Sequence, residues 1–272
     1  MSDERVATVL ERLFGALNRV PVGERRVVID GMPLYADSLD RWVAALGWRH
    51  GWIARREALF RDRVLAPGMV AIDVGANLGF HTLGMARRVG PTGRVHAFEP
   101  DPHHFRLLAR AVRESGCSNV MLHEAAVSDT AGTAQLFLAA ANRGDNRLVA
   151  AAESRSHVSV RTVAVDDVVA TEPRVDLIKI DAQGHEVEVL RGMRATLRDR
   201  AGARLLVELS PGLLARAGHD REAFFAPLRD AGFAPERLCP DGTTVATTED
   251  AAWAAAVASG HDMIVISRVA PA

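Results

Sequence analysis

Apolar positions recur along this chain with two different periods, and the texture changes at Pro67-Gly68. Before that point Val6, Val9, Leu10, Leu13, Phe14 and Leu17 fall at helical spacing and predict a helix within residues 1–20, stopped by Pro21-Val22-Gly23. Arg26 to Ile29 reads as a short strand and Asp30-Gly31 as a tight turn. Leu39 to Leu65 is again mostly helical in pattern and carries Trp42, Trp48 and Trp52. Residues 1–66 therefore read as an N-terminal helical and hairpin extension, a cap on a main domain over residues 67–272.

From Met69 the pattern becomes an alternation of buried strands and amphipathic helices. Met69 to Val74 is apolar apart from Asp73, as a strand covered on both faces would be. Leu78 to Val89 is helical, Arg94 to Phe98 a strand, Pro102 to Glu114 a helix, and Asn119 to Leu122 a third strand. Such an order implies an α/β fold with a parallel sheet and helices on both faces. Ala134 to Leu138 and Val158 to Val165 read as further strands flanking a polar, alanine-rich loop, 139–157. Val175 to Ile180 restores the buried strand, and Val187, Leu190, Met193 and Leu197 mark one helical face. Leu205 to Leu209, Phe233 to Leu238 and Met263 to Ser267 predict the remaining strands, with helices at Arg221 to Ala231 and Thr248 to Val257.

Composition narrows the function classes. The 272 residues are 48% hydrophobic and 25% charged, a globular balance. The formal net charge of -1 disfavours a nucleic-acid partner, which usually calls for a basic surplus. No apolar run is long enough for a membrane span, and MSDERVATVL lacks the pattern of a signal peptide. Two cysteines without metal-binding spacing suit a reducing compartment, so a cytoplasmic location is expected. Lys179 is the only lysine; every other basic side chain is arginine.

The sharpest chemical signal is Asp73-Val74-Gly75-Ala76-Asn77-Leu78-Gly79, where a buried strand runs through a glycine turn into a helix. Gly75 permits a tight turn and close approach of a ligand, and the helix start offers unpaired N–H groups. Asp73 is costly in a buried strand unless hydrogen-bonded. It either holds the loop alone or orients its amides and meets an ammonium through water. Glu99, followed by Pro100, ends the second strand 20 residues beyond Gly79, where an acid can accept hydrogen bonds from both ribose hydroxyls. Asn77 stands where the dinucleotide fingerprint needs a second glycine, so an adenosyl ligand without phosphates is favoured over NAD. After the third strand, Ser128 or Asp129 could bond an adenine amine, or serve only as ordinary loop residues.

The segments AIDVGANLGFHT (71–82), VHAFEPDP (95–102), VDLIKIDAQGHEVEVLRG (175–192) and LLVEL (205–209) resemble the FkbM family of class I S-adenosylmethionine-dependent methyltransferases. The resemblance implies a Rossmann-like, mostly parallel seven-stranded sheet whose last strand is antiparallel, and methyl transfer to oxygen. It implies Asp73, Gly75, Asn77 and Gly79 as cofactor-loop residues and Glu99 as the ribose carboxylate; Ala76, within the same loop, is a further candidate cofactor contact. Relatives commonly carry glutamate where this chain has Gln183, so a role needing that charge is in doubt.

The acceptor is expected beyond the carboxyl ends of the strands, near Asp181, His185, Glu186 and Glu208. His185, with its near-neutral reference pKa, and Asp181 are the candidate general bases. Asp181 also adjoins the cofactor site. Trp52, Asn146 and Glu208 are candidate acceptor contacts, although Trp42, Trp48 and Trp52 could equally pack the extension. Asp181, Glu186 and Glu208 are weak candidates for magnesium, since acids at a helix start are already explained by the dipole. The expected partner is a small hydroxyl-bearing molecule, a sugar or natural product, with no nucleic acid and no membrane; homo-oligomerisation is left open. The rival readings are an NAD-dependent oxidoreductase, a non-catalytic interaction protein on a cofactor fold, and a macromolecular methyltransferase.

Overall fold

The computed structural model describes residues 23–37, 55–139, 143–148, 156–200 and 202–269. Asp30-Gly31 makes the turn expected of it: φ is 50° and 72°, the pair of positive values that a two-residue hairpin loop requires. It joins β1 (Arg25–Ile29) to β2 (Met32–Ala36) in an antiparallel pair. Helix α1 (Arg55–Val64) is the described part of the helical stretch expected from Leu39 onward. The predicted helix in residues 1–20 and Trp42, Trp48 and Trp52 lie outside the described residues.

The alternating region follows the pattern closely. β3 (Val70–Val74), α2 (Phe80–Val89), β4 (Arg94–Phe98), α3 (Pro102–Glu114) and β5 (Val120–His123) succeed one another. Pro102 at the first turn and the Asp101 carboxylate, which accepts from His103 N at 2.9 Å, start α3. β6 (Ala126–Val127), β7 (Gly132–Phe137) and β8 (His157–Val163) then form a separate three-stranded sheet in the order β6-β8-β7. The strand expected to run to Val165 ends at Val163, and Val165 opens the short helix α4 (Val165–Val168).

β9 (Leu177–Ile180) returns to the main sheet. The single helical face expected over 187–197 is two helices, α5 (Glu186–Arg191) and α6 (Arg194–Asp199). The break has two local causes. A Cβ on Gly192 would lie 2.0 Å from the Ser128 carbonyl oxygen, and Asp166 captures the Ala195 and Thr196 amides at 2.8 Å each. β10 (Arg204–Leu209), α7 (Pro211–Arg216), α8 (Arg221–Asp230), β11 (Phe233–Leu238), β12 (Thr244–Ala246), α9 (Glu249–Ser259) and β13 (Asp262–Arg268) complete the described elements. Thr248 caps α9 and Asp220 caps α8, as their sequence positions suggest.

The main sheet has the order β12-β11-β13-β10-β9-β3-β4-β5. β10, β9, β3, β4 and β5 are mutually parallel, and β13 is antiparallel to both β10 and β11. This is the expected seven-strand plan with its antiparallel last strand, plus the three-residue β12 at one edge. Successive side chains alternate between two cores. Ile72, Ile178 and Val207 face one side with Phe224 and Phe225, whereas Ala71, Leu177 and Leu206 face the other with Phe60 and Met85. Phe60 and Leu65 share that second core, and Met32, Leu34 and Tyr35 pack with Leu83, Leu107 and Leu108. The described residues before position 67 are thus built into the same cores as the sheet. Strand order reverses between β3 and β9, so their carboxyl ends form the crevice in which open α/β sheets bind ligands.

Candidate active site

Asp73 is fully buried in β3. Its Oδ2 accepts from Thr82 Oγ1 at 2.6 Å, while Oδ1 has no hydrogen bond and lies 3.5 Å from Lys179 Nζ. Gly75 follows at φ 72°, where a Cβ would stand 2.0 Å from the Asp181 carbonyl oxygen. Only glycine lets β3 and β9 approach this closely at their ends. The Gly75 and Ala76 amides are spent on the Phe98 carbonyl, at 3.1 and 2.9 Å. Asn77 also adopts positive φ, 51°, and its Oδ1 accepts from Leu78 N at 2.7 Å. Asn is one of the few side chains that tolerate this region. A Cβ on Gly79 would lie 2.6 Å from Leu108, so this glycine sets the distance between α2 and α3.

Glu99 is buried at the end of β4. Its Oε2 accepts from Asn77 N at 2.7 Å and its Oε1 from Asp101 N at 2.9 Å. These bonds pin the carboxylate but leave lone pairs on both oxygens. Burial pushes its pKa up, against the nearby His104 and the two amides. Glu99 lines a first cleft with Gly75, Asn77, Phe98, Pro100 and Ala126. A second cleft adjoins it, lined by Glu57, His81, Lys179, Glu208, Ser210 and Met263 among others. Gly75, Asn77, Asp181 and Gln183 border both.

The structure separates the two candidate bases. His185 borders the first cleft only. Its Nε2 lies 3.0 Å from Ser128 Oγ and its Nδ1 3.4 Å from Glu188 Oε2, and Glu188 is also held by His219 at 2.6 Å. Burial lowers the His185 pKa, outweighing Glu188 and Asp129. With Nε2 committed to Ser128, His185 sits beside the first cleft and away from the second. Ser128 bonds Asp129 at 3.2 Å as well, and neither borders the cleft directly.

Asp181 instead stands at the junction of the clefts. Lys179 Nζ donates to Gly75 O at 3.0 Å and lies 3.6 Å from Asp181. The Gln183 amide nitrogen donates to Asp181 Oδ1 and to Glu208 Oε2, both at 2.8 Å. The parallel register, with Val207 opposite Ile180, brings Asp181 and Glu208 side by side. Burial, then Asp181 and Glu186, push the Glu208 carboxyl well above its ordinary range. Burial keeps Lys179 from being raised further by the carboxylates around it, whose combined effect still raises it.

Two other expected roles change. Glu186 is fully buried and turned away from the cleft: it accepts from Ala182 N and Gly184 N at 3.1 Å, fixing the 182–184 loop, and burial pushes its pKa up to about 7. It cannot join Asp181 and Glu208 around an ion, and among the described residues no group of three acidic, histidine or cysteine side chains is arranged to hold a metal. Asn146 borders the first cleft and not the second. Its Oδ1 accepts from Ala139 N and its Nδ2 donates to Asp101, both at 2.8 Å, so the side chain latches the 143–148 segment over the first cleft. Trp52 lies outside the described residues.

Sequence reasoning overlooked Glu57 and His81, both on the second cleft. His81 was visible inside the motif GFHT, but Glu57 carries no local signal. Among the described residues no helix is long and apolar enough to cross a membrane.

The hexuronic acid methyltransferase AglP of Haloferax volcanii is 29% identical over 46% of this chain and 50% of its own length. The 31-O-demethyl-FK506 methyltransferase FkbM of Streptomyces tacrolimicus is 31% identical over 47% and 61%. The chain thus spans half to about three fifths of these relatives. Among solved structures, methyltransferase FkbM of Methylobacillus flagellatus matches 83% of this chain and 60% of its own, at 13% identity and a TM-score of 0.44. Residues 73–234 match the family model described as the methyltransferase FkbM domain, a span that runs from Asp73 through Glu99, Asp181 and Glu208. The chain belongs to the FkbM family of S-adenosylmethionine-dependent methyltransferases.

Proposed function

We propose that this protein transfers a methyl group from S-adenosylmethionine to a hydroxyl of a sugar or other small natural product. The observation that carries the reading is the pair of adjoining clefts sharing Asp181 and Gln183, one bordered by Glu99 and the other by Glu208. The residues fit the cofactor. Asp73 Oδ1 is a buried oxygen without a hydrogen bond behind the Gly75 turn, and Gly75 is a position a Cβ would fill. Glu99 would hold the ribose hydroxyls, with Pro100 and Ala126 against the base and His185 positioned by Ser128. When bound, the sulfonium supplies an activated methyl group. The chain's own task is to align the acceptor, take its proton and exclude water.

Asp181, at the junction, is the group we assign to receive that proton. Lys179 holds the strand end by bonding Gly75 O, and Gln183 fixes the Asp181 rotamer. The printed activities of the relatives, on a hexuronic acid and on a demethylated FK506, support a hydroxyl-bearing small molecule. The unpaired cysteines Cys117 and Cys239 accord with a reducing, cytoplasmic setting. The test is titration calorimetry with S-adenosylmethionine, S-adenosylhomocysteine and NAD, followed by an acceptor screen read by mass spectrometry. Saturable binding of the first two, with methylated hydroxyl products, is expected. Binding of NAD alone would refute the reading.

A further inference from the structure

The second cleft has a surplus of hydrogen-bond acceptors, and its cations are already committed. Arg56 donates to Glu57 at 3.0 Å and to Asp262 at 2.7 Å. The Lys179 ammonium is held by Gly75 O at 3.0 Å, Asp73 at 3.5 Å and Asp181 at 3.6 Å. Against these two cations stand the cleft carboxylates Glu57 and Asp181, with Asp262 and the buried Asp73 behind them; Glu208, pushed well above its ordinary range beside Asp181, adds acceptor oxygens rather than a full charge. Two of these carboxylates have an oxygen without a hydrogen bond, Asp73 Oδ1 beside Lys179 behind the Gly75 turn and Glu57 Oε2 at the cleft wall. Glu57 is only 4% exposed and borders the cleft, yet its Oε2 has no hydrogen bond. A buried carboxylate oxygen without a donor costs free energy that a ligand bringing a donor would recover. The apolar members of the wall, Leu213, Met263 and Phe80, offer area but no donor.

We propose that the acceptor carries a protonated amine beside its hydroxyl, an amino sugar or comparable amino alcohol, and that Glu57 is a specificity residue that receives the ammonium. This rests on reading the second cleft as the acceptor's. A neutral polyol would also bring donors, but only a cation offsets the negative surplus. A carboxylate-bearing sugar would add to it and is disfavoured. Glu57 sits on α1, in the part of the chain before residue 67, so the selective contact comes from outside the span matched by the family model.

The test uses the full chain saturated with S-adenosylhomocysteine, so that acceptor binding is read without turnover. The probes are the methyl glycosides of glucosamine, glucose and glucuronic acid, titrated calorimetrically at neutral pH. The glucosaminide is expected to bind at least about tenfold more tightly than the glucoside, the ratio a charge-assisted hydrogen bond supplies, with the glucuronide weakest. Glu57→Gln should bring the glucosaminide to within about threefold of the glucoside while S-adenosylhomocysteine affinity is retained. Should that variant not fold, Glu57→Asp, which keeps the charge but draws it back by one methylene, is expected to reduce the same preference. Equal binding of the three, preference for the glucuronide, or no binding of the glucosaminide at millimolar concentration would overturn the proposal. So would a Glu57→Gln variant that loses S-adenosylhomocysteine instead, because Glu57 would then face the cofactor's own ammonium. Loss of S-adenosylhomocysteine binding by the native chain would refute the cofactor reading separately.

Discussion

Gly75 and Gly116 differ in a way that isolates what the 75–79 loop demands of its backbone. Both have positive φ, 72° and 67°. A Cβ on Gly116 would meet nothing within 4 Å, whereas one on Gly75 would lie 2.0 Å from the Asp181 carbonyl oxygen and 3.1 Å from its carbon. Gly116→Ala therefore measures the cost of left-handed backbone alone, about 1–2 kcal/mol for an L-residue. Roughly 0.4–1 kcal/mol of that is returned by the stiffer unfolded chain, which leaves a net loss near 1 kcal/mol. Gly75→Ala bears the same cost and also forces two parallel strand ends apart. Overpacking of this kind typically adds about 1–3 kcal/mol, for a total near 2–4 kcal/mol. Displacing the Asp181 backbone also moves the junction of the clefts, and a shift approaching 1 Å at a reacting group can cost on the order of a hundredfold in turnover. Urea denaturation gives the stability differences, and calorimetry with S-adenosylhomocysteine gives the affinity. Gly116→Ala should bind as the native chain does, and Gly75→Ala should lose at least about tenfold. If Gly75→Ala costs no more stability than Gly116→Ala and binds normally, the close approach of β3 and β9 at this point is wrong.

Three further outcomes are expected. His123 stacks on Phe98 and meets His96 at 3.1 Å; burial, then His96 and Arg161, lower its pKa to about 4. Its folded pKa lies below the unfolded value near 6.5, so its stabilisation is complete above that pH and lost as pH falls toward 4, by about 1–2 kcal/mol once partial exposure is allowed for; His123→Gln should flatten stability measured across this window. Gln183→Glu would replace the amide that donates at 2.8 Å to both Asp181 and Glu208 with a third acid, and should cost about 1–3 kcal/mol in urea titrations at pH 8, with partial recovery at pH 5 as the acids take up protons. Asn146→Ala would leave the 143–148 segment tied to Asp101 by Arg143 alone, at 3.2 Å, and stopped-flow measurements should show S-adenosylhomocysteine dissociating several-fold faster with little change in global stability.

The relation between sequence and structure differs from residue to residue, for physical reasons. Gly75, Asn77 and Glu99 were legible because a buried strand, a positive-φ turn and a helix start are local events written in consecutive residues. The strands from β3 to β5 and the capped helix α3 were legible for the same reason: burial period and capping depend on near neighbours. His185 and Asp181 looked equivalent in sequence, both lying just past a strand end. Only the fold showed that His185 Nε2 is taken by Ser128, 57 positions away, while Asp181 shares an amide with Glu208. Glu186 looked like a cleft acid because a charge at a helix start usually faces solvent, but here the 182–184 backbone captures it. Asn146 carried no sign of its attachment to Asp101, because such a latch depends on where a loop is delivered. The sequence alone therefore determined the α/β alternation and the glycine turn at 75–79, since both follow from short-range steric and burial rules. The tertiary structure decided which acids meet at the second cleft and that Glu57 Oε2 lacks a donor there, because that depends on register between strands and on side chains brought together from distant parts of the chain.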